Sequence, residues 1–373
     1  MPEEFPLDLG VLQRVLDYLN DAVYITDRDR CIVLWNRRAE EITGYSRDEV
    51  VGRRCRDSIL SHVDKEGRSL CRTDLCPLYR TMVNDSPTRM PAVIYAMTKD
   101  QGRIPVSVST APLHDDEGRV IGGVEIFRDE SENLADLELA RRIQLHIQTP
   151  ELPKLETLEV QVQYDALGLV GGDFYEVREV GPETVGILVA DVQGHGMSAA
   201  LYTMVLRSIS DNLRRLAVKP GEFMGAANKA LSAIALDEVF ATAVYAVVEG
   251  KKGVVRYANA GHPRPLKIAP GEPTETLEGG GMPLGLMEEE SYETLDAALG
   301  AGETILLYTD GATDIQDKEG QMLGSAGLAE KAGEIEWGKG ERAMSAFRDS
   351  LLDLCKEVRF SDDVLLLSCR RKS

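Results

Sequence analysis

No apolar run in the 373-residue sequence approaches the roughly 18 residues needed to cross a bilayer. A transmembrane helix is therefore excluded. Basic charge is also scarce: 42 Lys and Arg stand against 62 Asp and Glu, a formal charge of −20. Nucleic-acid and anionic-membrane binders draw affinity from neutralising phosphates with cations, so both partner classes are set aside. Met1-Pro2-Glu3-Glu4 offers neither a basic n-region nor an apolar h-region, and the expected location is cytoplasmic. Six cysteines in so long a chain do not make a disulfide framework, and five histidines leave little for zinc. What the chain has is 43% apolar content, ample for packed cores, and a length that predicts two domains.

One stretch organises the rest: Val189-Ala190-Asp191-Val192-Gln193-Gly194-His195-Gly196. It reads as a buried strand ending at a carboxylate, then two glycines, then a long helix from about Met197. Gly171-Gly172-Asp173, Tyr308-Thr309-Asp310-Gly311 and Ser361-Asp362-Asp363 place further acids beside apolar strands or glycine turns. A sheet can converge such strand ends. Carboxylates gathered in one cleft repel unless a cation sits among them. An all-oxygen set suits a hard ion such as Mg²⁺ or Mn²⁺. A carboxylate bridging two ions about 4 Å apart would hold a water of lowered pKa for in-line attack on phosphorus. A single Asp of this kind is more simply a turn or helix cap; four together favour the metal reading.

Upstream, residues 1–129 read as a first domain: a helix over Val11–Leu19, strands Ala22–Thr26 and Ile32–Trp35, then helical spacing over Arg38–Thr43 ending at Gly44, with Ser46 as an N-cap. Strands are predicted at Ala92–Thr98, Ile104–Leu113 and Val120–Arg128. This pattern predicts an antiparallel sheet with flanking helices. Asp21-Ala22-Val23-Tyr24-Ile25-Thr26-Asp27, Ile32-Val33-Leu34-Trp35-Asn36-Arg37-Arg38-Ala39-Glu40, Thr43-Gly44-Tyr45 and Gly122-Gly123-Val124-Glu125-Ile126-Phe127-Arg128-Asp129 resemble PAS sensor modules along nearly the whole segment. The resemblance implies the fold and leaves the ligand unnamed.

The irregular middle carries Cys55, Cys71 and Cys76. Cys55 stands in a place similar to the photoreactive cysteine of flavin-binding light sensors, although Asp57-Ser58-Ile59-Leu60 departs from that pattern. Three readings stay open: buried structural thiols, a metal or iron–sulfur ligand set, and a reactive redox group. Residues 130–150 predict a helical linker, with Leu134, Leu137, Ala140, Ile143 and Ile147 at three- and four-residue steps, stopped by Pro150. Joining a sensor-like domain to a site-bearing one, it is expected to dimerise and signal.

Residues 151–373 read as a second domain of α+β class, in which stacked sheets carry flanking helices. Strands are expected at Leu158–Tyr164, Val185–Ala190, Phe240–Val248, Val254–Asn259, Thr304–Tyr308 and Val364–Ser368. Helices are expected at Ser198–Leu216 and Glu222–Leu236, and again around Met344–Leu354. Gly171-Gly172-Asp173-Phe174-Tyr175, Asp191 through Leu201, Ala258-Asn259-Ala260-Gly261-His262-Pro263, Leu307-Tyr308-Thr309-Asp310-Gly311 and Ser361-Asp362-Asp363-Val364 resemble the SpoIIE/RsbU branch of metal-dependent serine/threonine phosphatases. That resemblance implies an α-β-β-α sandwich and two Mn²⁺ or Mg²⁺ ions. Asp173 and the Val192 carbonyl would serve one metal, Asp191 would bridge, and Asp310 and Asp362 would serve the other, with Asp314 helping a third. It also implies a phosphoserine or phosphothreonine protein substrate, an anti-sigma-factor antagonist of STAS fold in a partner-switching pathway; the position of the linker, in turn, predicts a homodimer formed through the PAS domain and that helix.

Two departures matter. Broader type 2C phosphatases have histidine where this chain has Gln193, so His195 is expected to shape the turn rather than act as general acid. Leu365 replaces a threonine without harm, since that side chain is not a ligand. His262 is open between packing and lining the cleft. The competing functions are a pseudophosphatase scaffold, favoured by a missing carboxylate, and a phosphatase of small molecules. No carboxylate is missing.

Overall fold

The computed structural model describes residues 9–57, 61–71, 73–90, 93–147, 151–194, 196–234, 239–355 and 359–372. They fall into two compact units, Met1–Asp136 and Leu137–Ser373.

The first unit runs α1 (Leu9–Asp17), β1 (Ala22–Asp27), β2 (Ile32–Trp35), α2 (Arg37–Thr43), α3 (Arg47–Val50), β3 (His62–Val63), α4 (Pro77–Asn84), β4 (Thr88–Arg89), β5 (Ile94–Met97), β6 (Arg103–His114) and β7 (Val120–Asp129). The strands form one antiparallel sheet in the order β2-β1-β7-β6-β5-β3, with β4 on β6. Asn36 shows why the sequence bends where it does. Its side chain accepts from the Ala39 amide at 3.0 Å, capping α2, and from the Val23 amide at 2.9 Å, tying that cap to β1. Gly44 ends the helix at φ 76°, a left-handed angle that glycine adopts without cost. Ser46 and Glu49 close a capping box on α3. Tyr24, Trp35 and Phe127 fill the core, their rings 5.6–6.4 Å apart. The middle is more ordered than its sequence suggests: β3, α4 and β4 are too short to show a period. Ala92, the expected start of a strand, lies outside the described residues.

Helix α5 (Ser131–Ile147) follows, and its second half belongs to the second unit. Pro150, its expected stop, lies outside the described residues. The buried stripe corrects the expected seam. Ala140 and Gln144 are buried, whereas Ile143 is 43% exposed. A step of four residues keeps Gln144 on the face of Ala140, and its amide has backbone partners there.

The second unit contains β8 (Leu158–Asp165), β9 (Asp173–Gly181), β10 (Thr184–Val192), α6 (Met197–Asn212), α7 (Pro220–Ser232), β11 (Ala241–Glu249), β12 (Val254–Ala260), β13 (Leu266–Ile268), β14 (Glu275–Thr276), β15 (Leu295–Ala298), β16 (Thr304–Tyr308), α8 (Gly324–Gly333), α9 (Glu341–Leu354) and β17 (Val364–Arg371). The sheets run β15-β12-β11-β10-β9 and β14-β13-β16-β17-β8, every pair antiparallel. Between them Ile187, Val189, Val244 and Val248 meet Ile305, Leu307, Leu365 and Leu367. The other faces are covered as well: Leu188 and Ala190 pack with Leu206, Phe223 and Met224, and Leu306 and Leu366 with Phe347 and Leu351. This is an α-β-β-α sandwich. Because both faces of β10 and β17 are buried, their central stretches, Ile187–Ala190 and Val364–Leu367, are unbroken apolar runs, each large aliphatic side chain worth about 1.5–3 kcal/mol on burial.

Candidate metal centre and its carboxylates

Strand pairing brings the first two acids together. Asp191, the penultimate residue of β10, is the register partner of Asp173, the first residue of β9. Val192 N donates to Gly172 O at 3.2 Å, and a Cβ on Gly172 would lie 2.8 Å from the Val192 carbonyl, so the glycine loop lies directly on that oxygen. The chain then leaves the strand through Gly194 and Gly196, both at left-handed φ (96° and 76°), and Gly196 precedes the first residue of α6.

The opposite sheet supplies the other two. Asp310 begins a single 3-10 turn after β16, and Asp362 and Asp363 precede β17. Thr309 joins the two sheets: its hydroxyl donates to Asp173 Oδ2 at 2.7 Å and accepts from the Leu365 amide at 3.0 Å. Asp314 closes the turn, its amide donating to Asp310 O at 2.9 Å.

The electrostatics follow from this convergence. Burial, then Asp310, Asp362 and Asp363, push the Asp191 carboxyl up to about 7. Burial and Asp191 hold Asp173 well above the ordinary carboxylate range, against the Thr309 hydrogen bond. Burial, Asp314 and Asp362 raise Asp310. The leading contributors are low dielectric and other carboxylates, the condition that a divalent cation relieves. Among the described residues no three His, Cys, Asp or Glu side chains stand close enough together to hold a metal ion as they are placed. The donor set is nonetheless all oxygen and concentrated at one end of the sandwich, which fits a hard ion.

The two acids of the 362–363 pair have different jobs. Asp363 Oδ1 accepts from Leu167 N at 2.7 Å and Oδ2 from Gly172 N at 2.8 Å, so it braces the loop that leads into Asp173. Asp362 is exposed, and its Oδ1 accepts from the Asp363 amide at 2.8 Å. Sequence reading missed the bracing role of Asp363, as well as Thr309 and Gln144. Gln144 Nε2 donates to Gly171 O at 2.8 Å and Oε1 accepts from Gly171 N at 3.3 Å, one residue from Gly172. The only sequence signal for Gln144 was a polar residue interrupting an apolar seam.

Other candidates fall elsewhere. His195 lies outside the described residues. His262 is buried, its Nδ1 is 2.9 Å from the Thr242 hydroxyl, and burial pushes its imidazole down to about 3; it is a packed neutral histidine. Leu365 points into the inter-sheet core. Cys55, Cys71 and Cys76 form no disulfide and are buried within the first unit.

Comparison with known proteins places the chain in a family. A family model described as Stage II sporulation protein E (SpoIIE) matches residues 181–372, just over half of the chain, and a PAS domain model matches residues 20–132. The phosphoserine phosphatase RsbU of Bacillus subtilis (strain 168) is 26% identical over 245 residues, 65% of this chain and 72% of that protein. The phosphoserine phosphatase RsbP of the same organism is 27% identical over 183 residues; the match takes in 48% of this chain and less than half, 45%, of RsbP. Among solved structures, the SiaA-PP2C domain of Pseudomonas aeruginosa aligns with a TM-score of 0.57 at 24% identity, covering 65% of this chain and 98% of that one. The chain is a member of the SpoIIE family, a protein serine/threonine phosphatase carrying an N-terminal PAS domain.

Proposed function

We propose that the chain hydrolyses phosphoserine or phosphothreonine on a protein, with Mn²⁺ or Mg²⁺ held by Asp173, Asp191, the Val192 carbonyl, Asp310 and Asp362, and with Asp314 beside a third ion. The observation that carries this reading is the cross-strand pair Asp173–Asp191 facing Asp310 and Asp362, with the Asp173, Asp191 and Asp310 carboxyls raised by burial and by neighbouring carboxylates. Bound ions would supply an activated water and neutralise phosphoryl oxygens. The chain's own residues orient that set: Thr309 fixes Asp173, Asp363 fixes the 167–172 loop, and Gly172 lies against the Val192 carbonyl. The names of the B. subtilis relatives support a phosphoserine substrate, and a STAS-type antagonist in a partner-switching pathway is the substrate class we assign. The test is phosphate release from a phosphorylated STAS-domain protein against release from free phosphoserine. Equal rates would replace the protein substrate with a small molecule. Tight binding of the phosphoprotein without turnover would indicate a scaffold.

The split within the 362–363 pair gives a second test. Asp362→Asn should cut turnover at fixed Mn²⁺ by about a hundredfold, or about 3 kcal/mol. Asp363→Asn should cost less turnover and more stability, about 1–3 kcal/mol for weakened charge-assisted bonds to two amides. A steady-state assay beside thermal melts of both variants decides it; the reverse order of turnover would move the metal ligand to Asp363.

The linker gives a third. We infer a cytoplasmic homodimer whose PAS domain and α5 regulate the site. Leu137 packs with Ala140, Val170 and Ala200 near the loop that Gln144 holds, while Leu139, Ile143 and Leu145 are exposed on α5. Leu137→Glu should change turnover, and Ile143→Glu should lower the mass in solution. Light scattering and activity of full-length protein measure both. A monomeric wild type with unchanged activity in both variants would make the helix a passive tether.

A further inference from the structure

The phosphatase reading uses no residue of the first unit's core, yet that core holds three thiols. Cys71 and Cys76 are each 4% exposed, as is Cys55. Two successive turns, Thr73 N to Leu70 O and Cys76 N to Thr73 O, each at 3.2 Å, fold the segment back and bring the Cys71 and Cys76 thiols close enough to interact. Cys71 Sγ is held in place by the His62 amide at 3.0 Å. Cys76 immediately precedes Pro77, the first residue of the eight-residue helix α4, where the helix dipole favours an anion. Arg30 lies in hydrogen-bond reach of Cys76, with its guanidinium 5.2 Å from the centroid of the Tyr79 ring on α4.

The environments of the thiols differ in a way that assigns roles. Cys71's hydrogen bond, with Arg30 contributing, pulls the Cys76 thiol below its ordinary value, whereas burial and Glu125 push Cys55 up to about 12. His62, whose Nε2 is 3.2 Å from Glu125 Oε1, is pushed by burial down to about 4, and burial raises Glu125. Burial thus disfavours charge on both members of that pair. One sulfur is set up as a nucleophile, a second sits within reach as its partner, and a third is an inert thiol in the same core.

We propose that Cys76 and Cys71 form a hydroperoxide-reactive dithiol site, Cys76 the attacking sulfur and Cys71 the resolving one. The Cys76 thiolate attacks one peroxide oxygen. The O–O bond breaks, an S–O bond forms, and the leaving alkoxide or hydroxide takes a proton from water; sulfur is oxidised by two electrons and the peroxide reduced. Cys71 then attacks the sulfenic sulfur, the S–O bond breaks, and water leaves as the Cys71–Cys76 disulfide forms. Thr73, Asp74 and Leu75, which lie between the two cysteines, are exposed, so this side of the site borders solvent.

The experiment treats full-length protein with a few equivalents of hydrogen peroxide, alkylates remaining thiols, and maps the peptides by mass spectrometry. The expected result is loss of 2 Da on a peptide joining Cys71 to Cys76 while Cys55 stays alkylatable, with Cys76 consumed at least tenfold faster than Cys55. In Cys71→Ser, a dimedone adduct should appear on Cys76; in Cys76→Ser, Cys71 should stay reduced. The wild-type map stands whether or not the variants fold. Six free thiols at a dose that oxidises free cysteine, or oxidation of Cys55 as fast as Cys76, would overturn the assignment.

Discussion

Asp191→Asn should abolish divalent-metal-dependent phosphatase activity, by about a thousandfold or more, which corresponds to about 4 kcal/mol of barrier. Its effect on stability should have the opposite sign in metal-free protein. The Asp191 carboxyl is raised to about 7 by burial and by Asp310, Asp362 and Asp363, against 3.8 for the ordinary group. The folded state then binds a proton that the unfolded state has released. Metal-free protein should lose stability as pH rises from about 4 through 7, and above that the penalty is fully present. Asparagine carries no charge to repel. In chelator at pH 8 the variant should melt above wild type, and at pH 4 the gap should close. With Mn²⁺ added the order should reverse, because only wild type gains binding free energy. Thermal melts at the two pH values, with and without metal, measure all of this. A variant that melts below wild type in chelator at pH 8 would remove Asp191 from the repelling cluster.

Gly311→Ala should be nearly as damaging although it deletes no ligand. A Cβ there would lie 2.0 Å from the Asp363 carbonyl oxygen, 3.0 Å from its carbon and 3.3 Å from Asp362 Cβ. Backbone meets backbone, so no rotamer change relieves the clash, and the Asp310 turn must move away from the 362–363 turn. Overpacking of this kind costs about 1–3 kcal/mol of stability. A displacement on the order of 1 Å at a catalytic centre costs about a hundredfold in rate. Gly225→Ala is the control: it lies within α7 with nothing within 4 Å of the new Cβ, and alanine should stabilise that helix by up to about 1 kcal/mol. Mn²⁺ titration of turnover in both variants is the measurement. Gly311→Ala with wild-type activity would mean that the two turns need not be in contact.

How much of this was legible beforehand depends on how far each feature reaches along the chain. The strands through Val189 and Leu366 were readable because burial on both faces leaves an apolar run. The glycines at 194, 196 and 311 marked turns because left-handed φ or a backbone contact excludes a side chain. The pairing of Asp173 with Asp191 was not readable, because β9 was not recognised as a strand and register is a property of two strands. Thr309, Asp363 and Gln144 were invisible for the same reason: each acts through a hydrogen bond to a distant backbone or carboxylate. In the first unit, β3, β4 and α4 are two to eight residues long. Periodicity cannot register so short an element, yet these are the segments that surround Cys71 and Cys76.

The central claim is that one carboxylate cluster performs metal-dependent hydrolysis of a phosphoprotein. The most direct measurement is phosphate release from a phosphoserine-bearing STAS-domain protein by the full-length chain, titrated with Mn²⁺ after chelation, with Asp191→Asn in parallel. The account predicts no release in chelator, saturable release on adding Mn²⁺, and none from the variant at any Mn²⁺ concentration. Release that persists in chelator, or that is equal in the variant, would contradict it.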